Sequence, residues 1–290
     1  MRRYLPYALA AFFAAASFLF QGAAAKSSTT GAYGDGALEG DVVVSLLGGF
    51  RGIAAEVVWF RAERLQDTGR FVELAQLASL LTRLEPHTPE VWGHAAWNLA
   101  YNISVQMPSY EDRWRWVEAG LKLLRDDGIG LNPEDPSLHR ELAWMFLAKI
   151  GGPIDDAHEV YEAKWRATMK DAIARSDFSD VKMDPALMRD TEAEFGKLDW
   201  TDPQASALYW ARKGLKATSR EKRESLRRIV YQSLMMISDR DASKVPRAYS
   251  ELKSFAEEYP SSQMSQLLEA FRERYGVSDS RWWRPCRKGR

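Results

Sequence analysis

Residues 113–128 read RWRWVEAGLKLLRDDG, and the fold turns on which side of this segment carries its two tryptophans. Alternating arginine and tryptophan would suit a surface that grips nucleic acid or lipid. The same residues also suit the inside of a helix. At about 100° per residue, Trp114, Trp116, Val117, Gly120, Leu121, Leu123 and Leu124 fall on one contiguous half of a helix. Arg115, Glu118, Lys122, Arg125 and Asp126 fill the other half. Arg113 lies on the apolar side, but in the first turn, where a long side chain can reach out. The alternation is therefore a product of helical geometry. An apolar face of half the circumference belongs to a helix packed between other helices.

The same periodicity continues outward in both directions. It predicts helices near 50–67, 69–84, 88–105, 109–126, 135–149, 155–174, 185–197, 203–216, 219–238, 243–258 and 261–275. Helix punctuation separates them: EPHTPE at 85–90, NPEDPS at 132–137, GGP at 151–153, TDP at 201–203 and YPSS at 259–262. The β-branched run DVVVS at 41–45 is the one strand-like segment.

Helix pairs joined by short turns invite a test against the tetratricopeptide repeat (TPR), a 34-residue helix–turn–helix unit with size-selected positions. With Pro86 at position 32, the next repeat starts at Pro89, and positions 4, 7, 8 and 11 hold Trp92, Ala95, Ala96 and Leu99. With Pro133 at position 32, positions 7, 8 and 11 of the following repeat hold Leu142, Ala143 and Phe146. Ala62 and Leu65 take positions 8 and 11 of the repeat before Pro86, and Ala248 takes position 20 of a repeat ending at Pro260. Pro86 and Pro133 stand 47 residues apart rather than 34, and 175–202 fits no repeat. The expected fold is all-α: a TPR-like right-handed helical-repeat solenoid with an insertion, preceded by a hydrophobic N-terminal helix.

Five stretches carry a family resemblance: LGGFRGIAAEVVWFRAERLQDTGRF, EVWGHAAWNLAYNISV, EDRWRWVEAGLKLLRDDGIGLNP, ELAWMFLAKIGGPIDDAHEVY and ALYWARKGL. Over roughly residues 47–216 the chain resembles a family of exported or membrane-anchored bacterial TPR-like proteins. That resemblance implies a helical-repeat fold and an envelope setting. It carries over no catalytic residue.

The 40 basic and 40 acidic residues cancel, which argues against a dedicated nucleic-acid binder. One cysteine, Cys286, rules out an internal disulfide, and with four scattered histidines it does not make a usual structural zinc site. Residues 1–25 show two arginines, an apolar run from Ala8 to Phe20 and a small-residue Ala23-Ala24-Ala25 site. They read as a secretory signal or an uncleaved membrane anchor, and Arg2 and Arg3 place the body outside in either case. Residues 26–45 read as a linker, 46–277 as the TPR-like domain and 278–290 as a basic aromatic tail. The expected location is the periplasm, or the inner membrane with the domain on the periplasmic side. Membrane contact runs through the N-terminal segment if that segment is uncleaved.

Two sets of residues invite a functional reading. Trp97 and Trp144 both fall at position 9 of their repeats, which lines the concave face of a TPR fold. Gly93 and Arg140 precede them at position 5, and Tyr101 follows at position 13. Rigid aromatics there would anchor a protein partner, or the inserted segment would fill the groove and make the rings core. The Lys-x3-Asn pattern of carboxylate-clamp TPR domains is missing, since positions 5 and 9 hold Gly93 and Trp97, then Arg140 and Trp144. The second set is Asp155, Asp156, His158 and Glu162, with Glu159 beside them and His139 upstream. Carboxylates near imidazole would bind a metal or serve as acid and base, or would cap a helix start. The leading expectation is a non-enzymatic, cofactor-free protein–protein interaction scaffold of the cell envelope. The alternative is a metal-binding or hydrolytic helical enzyme using the 155–162 cluster. A small-ligand binder is a third reading.

Overall fold

The structure, a computed structural model, describes residues 51–217 and 220–277. The expected N-terminal helix, the linker with DVVVS, and the basic tail from 278 lie outside those residues. All regular structure among the described residues is helical, with eleven α-helices longer than one turn. They are α1 (Arg51–Asp67), α2 (Phe71–Leu84), α3 (Pro89–Trp97), α4 (Tyr110–Lys122), α5 (Pro136–Trp144), α6 (His158–Arg175), α7 (Pro185–Phe195), α8 (Pro203–Lys216), α9 (Arg220–Arg240), α10 (Val245–Glu258) and α11 (Ser262–Tyr275). Each expected helix has its counterpart, with ends that differ by at most three residues except at the C-terminal ends of α3, α4 and α5.

The starts follow from local chemistry. Four helices open on proline at the first position, after Thr88, Asp135, Asp184 and Asp202. Proline there loses no hydrogen bond, because that amide has no helical partner. The three aspartates accept from free amides of the first turn: Asp135 from Ser137 and Leu138, Asp184 from Ala186, Asp202 from Gln204. Ser109 and Ser261 do the same at α4 and α11.

Three helices end differently from their sequence pattern. The chain passes from α3, α4 and α5 into π-helical turns at Asn98–Ile103, Leu123–Gly128 and Met145–Ile150. A π turn closes i→i+5 bonds and winds less per residue than an α turn. This corrects one expectation for 113–128. Arg125 lies just past the apolar half at α-helical winding. The wider turn carries it inside, where it is buried and forks onto Asp126 at 2.6 and 3.0 Å. Most of the remaining pattern holds: Trp114, Val117, Gly120, Leu121 and Leu124 are buried, and Arg115 and Lys122 are exposed, while Trp116 and Leu123, expected on the packed half, are half-buried.

Consecutive helices pack on one another from α1 to α4 and again from α8 to α11. The two runs join where α5, which also touches α3, lies along α8. α8 is buried from Pro203 through Ala211. Its Gln204 amide donates to the carbonyls of Leu147 and Gly151 at 3.1 and 2.9 Å, and its Ser206 accepts from the Trp165 indole at 3.1 Å. The residues that match no repeat pack into this core. Val181, Met183, Leu187, Met188 and Phe195 are buried, and the amide of Asp184 donates to the Tyr209 hydroxyl at 2.7 Å. One hydrophobic cluster runs from Trp92 to Val277. A smaller one of Ala62, Leu65, Leu74, Leu81 and Val91 holds α1 and α2.

Glycine sets the closest approach between α3 and α4. A Cβ on Gly120 would stand 2.7 Å from the Ala96 carbonyl oxygen and 3.2 Å from the Ala100 Cβ. Gly120→Ala should therefore cost about 1–3 kcal/mol, read as a lower urea midpoint at unchanged m-value. Gly130→Ala meets nothing within 4 Å and should leave the midpoint unchanged or raise it.

Candidate functional site

An open groove lies between α3 and α5. Its volume is about 600 Å³, and it is lined by Pro89, Glu90, Gly93, His94, Trp97, Ser137, Leu138, Arg140, Glu141 and Trp144. Each helix contributes a ladder at i, i+3 and i+7: Glu90, Gly93 and Trp97 from α3, and Ser137, Arg140 and Trp144 from α5. That spacing keeps each ladder on one helix face. Gly93 leaves its part of the wall without a side chain; a Cβ there would only reach ordinary contact, 3.7 Å from the Glu141 side chain. The groove is not filled by residues 175–202, which pack on α8 instead.

Trp97 is 40% exposed, whereas Trp92, Trp114, Trp165 and Trp210 are buried. It is not a loose side chain. Its indole stacks on Tyr101 with centroids 3.9 Å apart and planes 13° off parallel. The Lys149 ammonium lies over the same tyrosine ring, 5.2 Å from its centroid, and 5.6 Å from the centroid of Tyr161. Trp144 is half-buried opposite. Arg140 is hydrogen-bonded to Glu141. Burial pushes the Glu141 carboxyl above the usual range, against the pull of Arg140. His94 closes one end, hydrogen-bonded to Gln66 at 2.7 Å and facing Trp59 at 5.5 Å. Burial lowers its pKa, against the charge of Glu63.

The second candidate set is spent on internal pairing. Asp155 is buried and accepts from Lys149, from the Ala157 amide at 2.9 Å and from the Tyr161 hydroxyl at 3.2 Å. Asp156 pairs with Arg113 at 2.5 Å, so Arg113 reaches from the start of α4 to the start of α6. His158 turns Nδ1 to the Asp155 carbonyl oxygen at 2.8 Å. Glu162 pairs with Arg166 and Arg240 at 2.8 and 3.2 Å. His139 lies elsewhere, buried against Trp210 and bonded through Nδ1 to the Asp135 carbonyl. No group of three or more His, Cys, Asp or Glu that could hold a metal occurs among the described residues. The Asp155, Asp156, His158 and Glu162 set is thus a capping and ion-pair cluster in this structure, each carboxylate facing a cation.

Lys149 is what the sequence reading missed. It is fully buried among Asp155, Tyr101 and Tyr161. In sequence it is an ordinary basic residue near a helix end, and only the π turn brings it inward. Burial pulls the Lys149 ammonium below the usual lysine range, against its bond to Asp155. Burial alone would raise the Asp155 carboxyl. The Lys149 and Ala157 hydrogen bonds outweigh it and hold the carboxyl at about 2.

No protein family, no curated protein and no solved structure matches the chain.

Two predictions follow from the buried pair and the buried imidazole. Asp155→Ala strands a buried ammonium and should cost about 3–5 kcal/mol, whereas replacing both partners (Lys149→Met with Asp155→Leu) should recover most of it. The check is a pair of urea titrations. The second concerns acid. As pH falls, the unfolded chain binds a proton at Asp155 near the ordinary 3.8, while the folded chain resists to about 2. This contribution is complete above 3.8 and is lost between 3.8 and about 2. His139 is lowered from 6.5, chiefly by burial. The unfolded chain again takes the proton first, so stability should begin to fall as pH drops through 6.5. His139→Gln should flatten that slope in part, since His94, also lowered by burial, acts in the same direction.

Proposed function

We propose that the chain is a non-enzymatic scaffold of the bacterial cell envelope that seats a peptide segment of a protein partner in the groove between α3 and α5. In this reading the helical stack is a TPR-like right-handed solenoid. Residues 1–25 export it or anchor it, and the domain works on the periplasmic side of the inner membrane. The observation that carries the reading is the pair of side-chain ladders ending in Trp97 and Trp144 on either side of an open groove. A large aromatic left exposed and pre-stacked in a concave site is a natural interface anchor.

Other features support the repeat reading. Trp92, Ala95, Ala96, Leu142, Ala143, Phe146, Ala62, Leu65 and Ala248 stand where a TPR unit keeps its packing residues and are buried, while Leu99, at position 11 of its repeat, is half-buried. Trp97 and Trp144 stand where a TPR unit faces its ligand, and both line the groove. The groove takes a segment with an apolar anchor between the indoles and polar groups toward Glu90 and Arg140. The enzymatic alternative has no comparable support, because its carboxylates are paired with Lys149, Arg113, Arg166 and Arg240.

The test is a tagged pull-down from detergent-solubilised envelope, with wild type, Trp97→Ala/Trp144→Ala and Gly93→Leu compared. Gly93→Leu puts a side chain into the groove without removing a core residue. Each truncated hot-spot aromatic is worth about 2 kcal/mol, or roughly 30-fold in affinity. A partner lost from both variants, with circular dichroism unchanged, is the expected result. A partner retained by both folded variants sinks the reading.

A further inference from the structure

α1 has two apolar faces. Ala55, Ala62 and Leu65 are buried on one side, against α2. On the opposite side Ile53, Val57 and Phe60 are 62%, 65% and 65% exposed. Their spacing at i, i+4 and i+7 makes one stripe along the helix. Val72, at the start of α2, adds a fourth exposed apolar side chain at 50%. Arg64 ends the stripe, its guanidinium 5.5 Å from the centroid of the Phe60 ring. A helix at the end of a stack presents a polar outer face. A helix apolar on both sides is an inner layer.

We infer that this outer face is the seat of the chain segment immediately before it, residues 41–50. Three observations favour that occupant. The segment joins α1 directly and reads DVVVSLLGGF, with Asp41 as its one charge. Five of its ten residues, Val42, Val43, Val44, Leu46 and Leu47, are aliphatic, and Gly48-Gly49 gives the chain the freedom to reverse before Phe50. Second, consecutive helices pack on each other from α1 to α4, so a neighbour in sequence is what this stack places on an open face. Third, four apolar side chains fall well short of the roughly 20–30 residues a side of a stable interface between separate chains. A tethered segment needs no such area, because its effective concentration is already about millimolar. The reading is independent of the groove and would stand if the groove proposal failed.

Disulfide trapping in the full chain tests it, in a Cys286→Ser background. The probe pair is Val43→Cys with Val57→Cys, on the stripe. The control is Val43→Cys with Glu56→Cys, off the stripe and joined by a tether one residue shorter. Both partner positions on α1 are exposed, so neither substitution threatens the core. Bridging within one chain at least ten times faster for the stripe pair is the expected result. Equal rates for the two pairs mean tethered collision only and overturn the inference. Bridges between chains, faster at higher protein concentration, assign the face to a second copy and overturn it. A stripe pair that bridges no faster than the control until lipid is removed assigns the face to the membrane and also overturns it.

Discussion

The contact on which the stack depends is the one between α5 and α8. These helices are separated by α6, α7 and the residues that match no repeat, yet they lie along each other. Gly214 permits this, since a Cβ there would come within 2.8 Å of the His139 Cβ. Gln204 ties the joint by binding the Leu147 and Gly151 carbonyls that the end of α5 leaves over. On one side of the joint, α5 supports α3 and half of the groove. On the other, α8 carries α9 to α11. An intervening segment of this length is tolerated because closing a longer loop adds little entropy cost, and its buried apolar residues offset that cost.

The helices were legible because three local signals agree: apolar period, capping aspartates and proline at first positions. The reading of 113–128 as a packed face held for the same reason. What stayed hidden depends on winding and on distant partners. Arg125 and Lys149 look like surface cations at α-helical winding, and π turns bring both inside. No short-range pattern announces such a turn. Gly93, Trp97, Arg140 and Trp144 were legible as a set because they follow from two proline positions and one spacing, whereas Tyr101, expected with them, is not in the lining and instead stacks on Trp97. The state of the groove was not legible, because whether 175–202 fills it or packs elsewhere depends on contacts far apart in sequence. The 155–162 carboxylates stood between two sequence readings, helix caps or ligands. Their cations were hidden because Arg113, Lys149 and Arg240 come from distant parts of the chain.

The groove and the acidic cluster share one chain of contacts. Trp97 stacks on Tyr101, Lys149 lies over Tyr101, and Asp155 holds Lys149. Asp155 also meets Arg113 at 3.4 Å, which in turn pairs with Asp156. The wall of the groove is therefore braced by a buried ion pair rather than by apolar packing alone. A buried pair contributes little net stability, but its geometry is demanding. Here that demand fixes a tyrosine ring, and the ring fixes an indole.

In the proposed function, a braced indole bears on the timing of recognition. A free surface tryptophan must give up rotamer freedom when a ligand seats on it, at about 0.5–1.5 kcal/mol for each side chain immobilised. Trp97 has surrendered most of that freedom already through its stack on Tyr101. Pre-organisation of this kind acts mainly on how slowly a complex comes apart, and much less on how fast it forms. A ligand held by this wall would be marked by long residence.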